Sequence, residues 1–259
     1  MVFFLYNIYM PLTWRGKRQL FYYSIFAVFV FILIVGFIFY FKPAPTCFDG
    51  KQNQGEGGVD CGGPCEKGCL GQVSNPTVLW TRFFKTGDTT YDIAALIDNP
   101  NIFAGSGEFH YRLKLHDKDN ILIAIRDGVT FINPQERFVI FESEVQTARR
   151  IPVSASIELD QVDWQRIEMA KPLVEAYGYK FTTHPYGIFD VTLRNGDIFP
   201  VKNIEVVVVL FDDSRNASGV SRTKIDLIEG ESERKVGFSW PVAFDRIPAS
   251  VEVYIRKIP

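Results

Sequence analysis

Hydrophobic residues follow two patterns along this chain, and the first is a single apolar run near the N-terminus. Residues 20–41 comprise 22 side chains, none of them charged. A helix of that length rises about 33 Å, enough to cross the roughly 30 Å hydrocarbon core of a bilayer. Because a backbone in lipid must satisfy its own hydrogen bonds, the run predicts one transmembrane α-helix in contact with the lipid bilayer.

The charges beside this run predict its orientation. Arg15, Lys17 and Arg18 precede it, and the first 41 residues contain no acidic residue. The positive-inside rule therefore predicts a cytoplasmic stub at residues 1–19, a single-pass protein of the cell membrane and extracytoplasmic C-terminal domains. A cleavable signal peptide is the alternative. Its apolar region is usually about 7–15 residues long, and the sequence KPAPTC at 42–47 is a poor cleavage site.

The second pattern is alternation with a period of two, which indicates β-strands. It occurs at residues 189–194 and 93–97, where we expect half-buried strands. Residues 204–211, IEVVVVLF, form a continuous β-branched run that suits a central strand. Turn sequences at 117–120 and 212–216 separate such runs, so the pattern predicts an all-β ectodomain of immunoglobulin-like sandwiches.

The β-rich part also contains an internal repeat with an offset of 96 residues. Residues 99–154 align with residues 195–250 without a gap and with 12 identities. Residues 78–82 are similar to residues 162–166 at a different offset, which predicts an insertion near 168–187. We therefore expect two tandem sandwiches of common ancestry, at 76–160 and 161–259. The identities on which the alignment depends include Asn99 with Asn195, Asp117 with Asp213, Asn120 with Asn216 and Arg126 with Arg222.

All four cysteines fall in the segment between the apolar run and the repeat, which we predict to be a linker module at 42–72. They are Cys47, Cys61, Cys65 and Cys69, and glycines are frequent among them. Such a segment buries little apolar surface, so cross-links must order it, and outside the cytoplasm these are usually disulfides. Four cysteines allow three pairings, which the sequence leaves open. Zinc is a weaker alternative because Cys47 has no neighbouring partner for a second half-site.

Oxygen-bearing side chains alternate with glycines in the same module. Calcium takes six to eight oxygen ligands from loops of this kind, so a calcium site is a second prediction for this module. The spacing differs from that of an EF-hand, and aspartate and asparagine next to glycine also form ordinary turns. The four residues proposed as calcium ligands are Asp49, Asn53, Glu56 and Asp60.

Charge and motif content argue against several other functions. The ectodomain carries 25 basic and 30 acidic residues once the three basic residues of the stub are set aside, so nucleic acid is not an expected partner. No phosphate loop, dinucleotide fingerprint or nucleophile elbow occurs. His110 and His116 could share one strand face, but their spacing is not that of a metal site. We therefore expect no enzyme activity and no cofactor other than the calcium already considered.

Two segments resemble known families. The string CxDGxxNxGExGxDCGGPC at 47–65 resembles a short cysteine module of bacterial cell-surface proteins, which implies a location and a spacer role. Residues 208–212, VVLFD, with EGES at 229–232 and FSWP at 238–241, resemble FxLYD-type Ig-like domains of bacterial envelope proteins. That resemblance implies a binding or spacer fold without a catalytic site, and it is weaker in the first copy.

These observations lead to two functional hypotheses. The first is a non-enzymatic membrane protein whose tandem sandwiches act as a structural or protein-interaction module of the cell envelope. Sheet edges are one route by which such domains bind a protein partner. The second is an accessory subunit of a membrane machine for secretion, pilus assembly or signalling, which packs through its helix. Small residues suited to helix packing are sparse in the run, which disfavours the second hypothesis.

Overall fold

The chain folds into one apolar helix followed by β-strands, as the sequence predicts. The computed structural model describes residues 13–40, 46–65, 69–167, 171–183, 185–244 and 247–258. Helix α1 covers Trp14–Tyr40, so it begins six residues before the predicted span and includes the basic residues at 15, 17 and 18. Residue 41, the predicted end of the span, lies outside the described residues. A short 3₁₀ turn, Leu70–Gln72, follows the cysteine module.

Within α1, the segment Trp14–Phe37 has the length and apolarity of a membrane span. It comprises 24 residues with a mean hydropathy of 2.5, and none of its most apolar window is buried against the rest of the protein. An N-terminal helix with these properties serves either as a membrane span or as a signal sequence.

The first sandwich consists of two antiparallel sheets. One has the strand order β1-β2-β5 and the other β4-β3-β6, with a short β7 also paired to β3. Their inner faces enclose a core that includes Ile97, Phe109, Leu113 and Phe138. The strands are β1 (Thr77–Lys85), β2 (Thr90–Asn99), β3 (Ala104–His116), β4 (Leu122–Ile132), β5 (Glu136–Gln146), β6 (Ser154–Leu159) and β7 (Gln165–Arg166).

The second sandwich has the same strand arrangement. Its sheets have the orders β8-β9-β12 and β11-β10-β13, which correspond to β1-β2-β5 and β4-β3-β6. Phe189, Leu193, Val208 and Trp240 lie in its core. The strands are β8 (Val174–Thr182), β9 (Gly187–Asn195), β10 (Val201–Phe211), β11 (Ala217–Ile228), β12 (Glu233–Trp240) and β13 (Ser250–Lys257).

The two sandwiches are joined face to face. The outer face of sheet β1-β2-β5 packs on the outer face of sheet β11-β10-β13 through a third apolar cluster, so four sheets form one stack. Strands β2 and β10 lie at this contact and are buried on both faces, which explains the continuous apolar run at 204–211. The half-buried prediction holds for β9 but is wrong at 93–97, because Ala94 and Leu96 are buried against the second sandwich.

The gapless alignment of the two copies is correct only at its ends. The Asp117 turn has its structural counterpart at Asp212 rather than Asp213, since each aspartate accepts hydrogen bonds from the backbone N–H groups two and four residues later. Asn120 likewise corresponds to Arg215, because both have a positive φ near 60°. The residue numbers of the two copies therefore differ by 95 in β3 and in the turn after it. Strand β11 is one residue longer than β4, so the difference returns to 96 after these strands.

The predicted boundary between the sandwiches is also displaced. Val162 and Trp164 pack into the core of the first sandwich, and β7 pairs with the start of β3. The counterpart of β1 in the second sandwich is therefore β8, in the region that the sequence predicted to be an insertion. The similarity between residues 78–82 and 162–166 does not reflect equivalent positions.

Candidate functional site

The cysteine module is held by two interleaved disulfides. Cys47 is bonded to Cys65, and Cys61 to Cys69, which selects one of the three pairings that the sequence left open. No cysteine is free, so the module has no thiolate to bind zinc. Gly63 has a φ of +58°, and a Cβ there would lie 2.2 Å from the backbone oxygen of Gly55. The bridges therefore bring two glycine-rich loops into close contact.

The carboxylates of the module accept hydrogen bonds from its own backbone. Glu56 is buried, and its Oε2 accepts the N–H groups of Asn53 and Asp60, each at 3.2 Å. Asp60 accepts the N–H of Gly50 at 3.0 Å. Asp49 accepts the side-chain amide of Asn53 at 2.9 Å, and this bond lowers the pKa of Asp49. These oxygens stabilise the turns in a segment too small to have an apolar core.

Calcium binding by Asp49, Asn53, Glu56 and Asp60 stays a prediction, and a bound ion would compete with these hydrogen bonds. Among the described residues, one group of potential metal-binding side chains lies close together, formed by Cys47, Glu56 and Cys65. Two of its three members share a disulfide, and disulfide sulfur is a poor metal ligand compared with a thiolate. The geometry of the module is thus accounted for by bridges and turns.

The disulfide pairing gives a direct prediction. Protein isolated from membranes with a thiol-blocking reagent and without reductant should carry no blocked cysteine, because the two bridges pair all four cysteines. Peptide mapping by mass spectrometry should then recover the pairs Cys47–Cys65 and Cys61–Cys69. A sample reduced before blocking serves as the control and should gain four blocked thiols. Blocking of all four cysteines without reduction would contradict both the bridges and an extracytoplasmic location.

The contact between the sandwiches, called the joint from here on, is mainly apolar. Ala94, Leu96 and Phe141 of the first sandwich face Val207 and Val209 of the second, and all five are buried. Residues packed around these are Trp80, Phe84, Phe211, Ala217 and Tyr254. On the equivalent faces that do not take part in the joint, the central strands β3 and β9 carry polar side chains at 110, 112 and 114 and at 190, 192 and 194, whereas edge strand β4 exposes Ile125 and Val129. The outer faces of the stack are therefore polar along their central strands.

A buried arginine completes the joint at one end. Arg256 on β13 is 1% exposed, and its Nε and Nη2 both lie 3.1 Å from Glu136 Oε2 of the first sandwich. Its Nη1 lies 3.2 Å from Glu205 Oε1 on the neighbouring strand β10. The Nη2 group also donates to the backbone oxygen of Phe131 at 2.5 Å. The guanidinium thus connects both sandwiches through charge-assisted hydrogen bonds in a site shielded from water.

Aromatic rings enclose this guanidinium. Its central carbon lies 3.9 Å from the centroid of the Phe131 ring and 4.2 Å from that of Phe138. Such contacts are favourable because the negative face of the ring attracts the cation. Nearby, the Asn133 side-chain amide donates to the backbone oxygen of Lys257 at 3.1 Å, which adds a neutral bond between the sandwiches.

Sequence reasoning missed this cluster, although one signal was present. Glu205 is an acidic residue inside the run IEVVVVLF, and a charge in a buried strand requires a partner. The partner on the same sheet, Arg256, could have been inferred from strand pairing. Glu136 is 120 residues away in sequence, and nothing local indicates that it faces Arg256.

A polar groove of about 440 Å³ opens at the opposite end of the joint. It is lined on one side by Thr86, Asp92 and Glu144 and on the other by Ser221 and Arg222. Asp92 accepts the backbone N–H of Glu144 at 3.0 Å, and burial raises its pKa. The groove therefore holds an acidic group that favours the protonated form more than a free aspartate does.

The raised pKa of Asp92 gives a prediction for the pH dependence of stability. The folded state binds this proton more tightly than the unfolded state, so the stabilising contribution is present at low pH and is lost as pH rises through the folded pKa. Asp92→Asn retains an oxygen for the Glu144 N–H and has no charge to desolvate. We expect the variant to melt on the order of 1–2 °C above the parent at pH 7.5, with no gain at pH 3.5. An equal gain at both values would show that ionisation is not the cause.

The other candidate residues from the sequence lie apart from one another. His110 and His116 share the outer face of β3, as predicted, but six strand positions separate them by about 20 Å, too far to hold one metal ion. His184 lies outside the described residues. Asp212 caps a hairpin turn through its hydrogen bonds to the N–H groups of Ser214 and Asn216. These three described residues do not converge on a common site.

No protein-family model matches this chain, and no curated protein matches it with significant similarity. The fold and the site geometry define the chain as two β-sandwiches joined into one unit behind a disulfide-bonded module and an apolar helix.

Proposed function

We propose that this protein is a non-enzymatic single-pass membrane protein that displays a stiff, two-sandwich unit outside the cell as a structural or protein-interaction module of the envelope. The observation that carries the proposal is the joint, where an apolar contact and a buried ion cluster join the two sandwiches. Flexibly linked domains usually meet through smaller and more polar contacts. A stack of four sheets instead holds its exposed edges and loops in fixed relative positions, which suits a spacer or a docking platform.

Three further features support this proposal. The apolar helix and the basic residues before it favour an N-terminus in the cytoplasm. The two disulfides favour an oxidising location for the module. The shared strand order and the matching roles of Asn99 and Asn195 support a duplicated domain of the FxLYD-like type, whose relatives serve as binding or spacer domains.

The alternative function is an accessory subunit of a membrane machine that packs through its helix. In the described part of α1, the side chains are largely exposed, as expected for a helix that meets lipid or another span. Nothing lies within 4 Å of a Cβ placed at Gly36, so a neighbouring helix could approach there. The two functions therefore differ in where the protein partner binds.

Site-specific photo-crosslinking in native membranes separates the two. We would place benzoylphenylalanine at Val129 on edge strand β4, at Tyr179 on edge strand β8 and at Phe31 in the helix, all three exposed. Protein adducts at Val129 or Tyr179 with none at Phe31 would support the envelope module. Protein adducts at Phe31 alone would favour the membrane-machine subunit. An absence of protein adducts at all three positions would contradict both proposals.

A further inference from the structure

The loops after β2 and β4 of the first sandwich lie on the same side of the unit as the loops after β9 and β11 of the second. We call this side the base. The chain enters the first sandwich there, since Ser74 and Asn101 exchange two hydrogen bonds of 2.8 Å beside the loop after β2. The joint places the equivalent end of the second sandwich next to it, because Asn133 after β4 contacts Lys257 at the end of β13. The base thus comprises the loops 100–103, 133–135, 196–200 and 229–232 and the segment 171–173.

Large apolar side chains are exposed at the tips of the base. Ile102 of the first sandwich is 65% exposed, and Ile198 and Phe199 of the second are each 68% exposed. Leu173 is 62% exposed, and its backbone oxygen accepts the N–H of Gly196 in the same loop region. None of the four belongs to any of the three core clusters. The three core clusters therefore do not account for the apolar character of these side chains.

The cysteine module keeps the base close to the end of the helix. The chain extends by at most about 3.5 Å per residue, so Tyr40 to Cys47 and Cys65 to Ser74 cover at most roughly 25 Å and 30 Å. The bridge between Cys47 and Cys65 holds their Cα atoms 5.6 Å apart and removes the loop between them from the tether. The base therefore lies within about 60 Å of the helix end, half the reach of the same segment without its bridges.

From these observations we propose that the base is a second membrane contact, in which Ile102, Ile198 and Phe199 insert into the outer leaflet beside the helix. The inference rests on the proposed function, since it requires α1 to span the membrane. A short tether raises the local concentration of the base at the bilayer to the millimolar range, so weak insertion by a few side chains suffices. The joint matters because it holds the end loops of both sandwiches on the same side of the unit.

The charges around the base favour zwitterionic lipid over an anionic surface. Lys171, Lys202 and Lys257 lie in or beside the loops that contain Asp197, Glu229 and Glu231, so three basic residues match three acidic ones and neither sign dominates. Apolar insertion rather than charge attraction would therefore drive the contact. A protein surface is the competing occupant, and the experiment separates it from lipid.

The test uses the full chain in phosphatidylcholine vesicles with benzoylphenylalanine at Phe199 or at Ile102. Ile151, in the loop after β5 at the opposite end of the unit, is the matched control because it is 73% exposed. We expect lipid adducts at Phe199 and Ile102 in at least fivefold higher yield than at Ile151. The double substitution Ile198→Asp and Phe199→Asp should lower the yield at Ile102 at least threefold, whereas Ile151→Asp should leave it unchanged.

Benzoylphenylalanine at Phe31, in the helix, shows whether a negative result concerns this inference alone or also the proposed membrane anchor. Lipid adducts at Phe31 together with equal yields at Phe199 and Ile151 would overturn the membrane contact alone. Adducts from Phe199 to another copy of this chain would also overturn it and assign the tips to a protein contact. An absence of lipid adducts at Phe31 would overturn the anchor, and the base contact with it.

Discussion

Replacing Arg256 with methionine should lower the free energy of unfolding by about 3–5 kcal/mol, the largest effect we expect from any single substitution in this chain. Methionine fills much of the same space, so packing between Phe131 and Phe138 is largely retained. The cost arises because Glu136 keeps its charge without a cationic partner and Glu205 retains only Arg222, at 3.9 Å, in a site where the guanidinium of Arg256 is 1% exposed. Urea titration of the full chain in detergent micelles, followed by tryptophan fluorescence, measures the change.

Arg137→Met is the matched control for this substitution. Arg137 pairs with Asp98 at 3.2 Å on the surface, with 57% of its side chain exposed. Solvent-exposed pairs contribute about 0–1 kcal/mol, so the same chemical change should have little effect there. Adding Glu136→Gln and Glu205→Gln to Arg256→Met should recover much of the lost stability, because neither buried side chain then carries a charge, and Arg222, which loses Glu205, is 35% exposed to solvent. A loss below about 1 kcal/mol for Arg256→Met would contradict a role for the ion cluster in holding the joint.

The sequence predicted the fold class well because the relevant signals are local. An uncharged run of 22 residues and the period-two alternation of strands such as β9 each depend on neighbouring positions. The turn at 212–216 was predicted for the same reason, since an aspartate that caps backbone N–H groups needs only the next four residues. Cysteine spacing indicated disulfides but not their pairing, because pairing depends on how the loops between the cysteines fold.

The joint could not be predicted because its members are distant in sequence. Ala94 and Leu96 alternate with Ile93 and Ala95, and a small or apolar outward residue does not by itself show that the outer face is covered. The run at 204–211 indicated a central strand, but not that a second sheet covers its outer face. The error in the repeat alignment has a similar origin. The second copy has one residue fewer between Asn195 and Phe199 than the first has between Asn99 and Ala104, the residues whose backbone oxygens accept from the two asparagine amides. This difference changes the register of a whole strand and leaves the matching ends unaffected.

Asn195→Leu should lower the free energy of unfolding by about 2–4 kcal/mol. Asn195 is fully buried, and its amide donates to the backbone oxygens of Phe199, Ile228 and Glu229. Its own oxygen accepts the N–H of Asp197 at 3.0 Å. Leucine has a similar volume but leaves these backbone groups without partners in a site closed to water. Asn216→Leu is the control, because Asn216 lies exposed in a turn and should change stability by less than about 0.5 kcal/mol.

Asn99 holds the equivalent position in the first sandwich and extends this prediction to the joint. It is 1% exposed, and its amide donates to the backbone oxygens of Ala104 and Asn133. Trp164 packs on the first core and Trp240 lies in the second, so a variant that keeps only one of the chain's four tryptophans, Trp164 or Trp240, reports on one sandwich. If the joint makes the two sandwiches unfold together, Asn99→Leu and Asn195→Leu should each shift both signals by the same amount. A shift confined to the tryptophan of the altered sandwich would show that the joint orients the sandwiches without coupling their stability, because each core would then unfold independently.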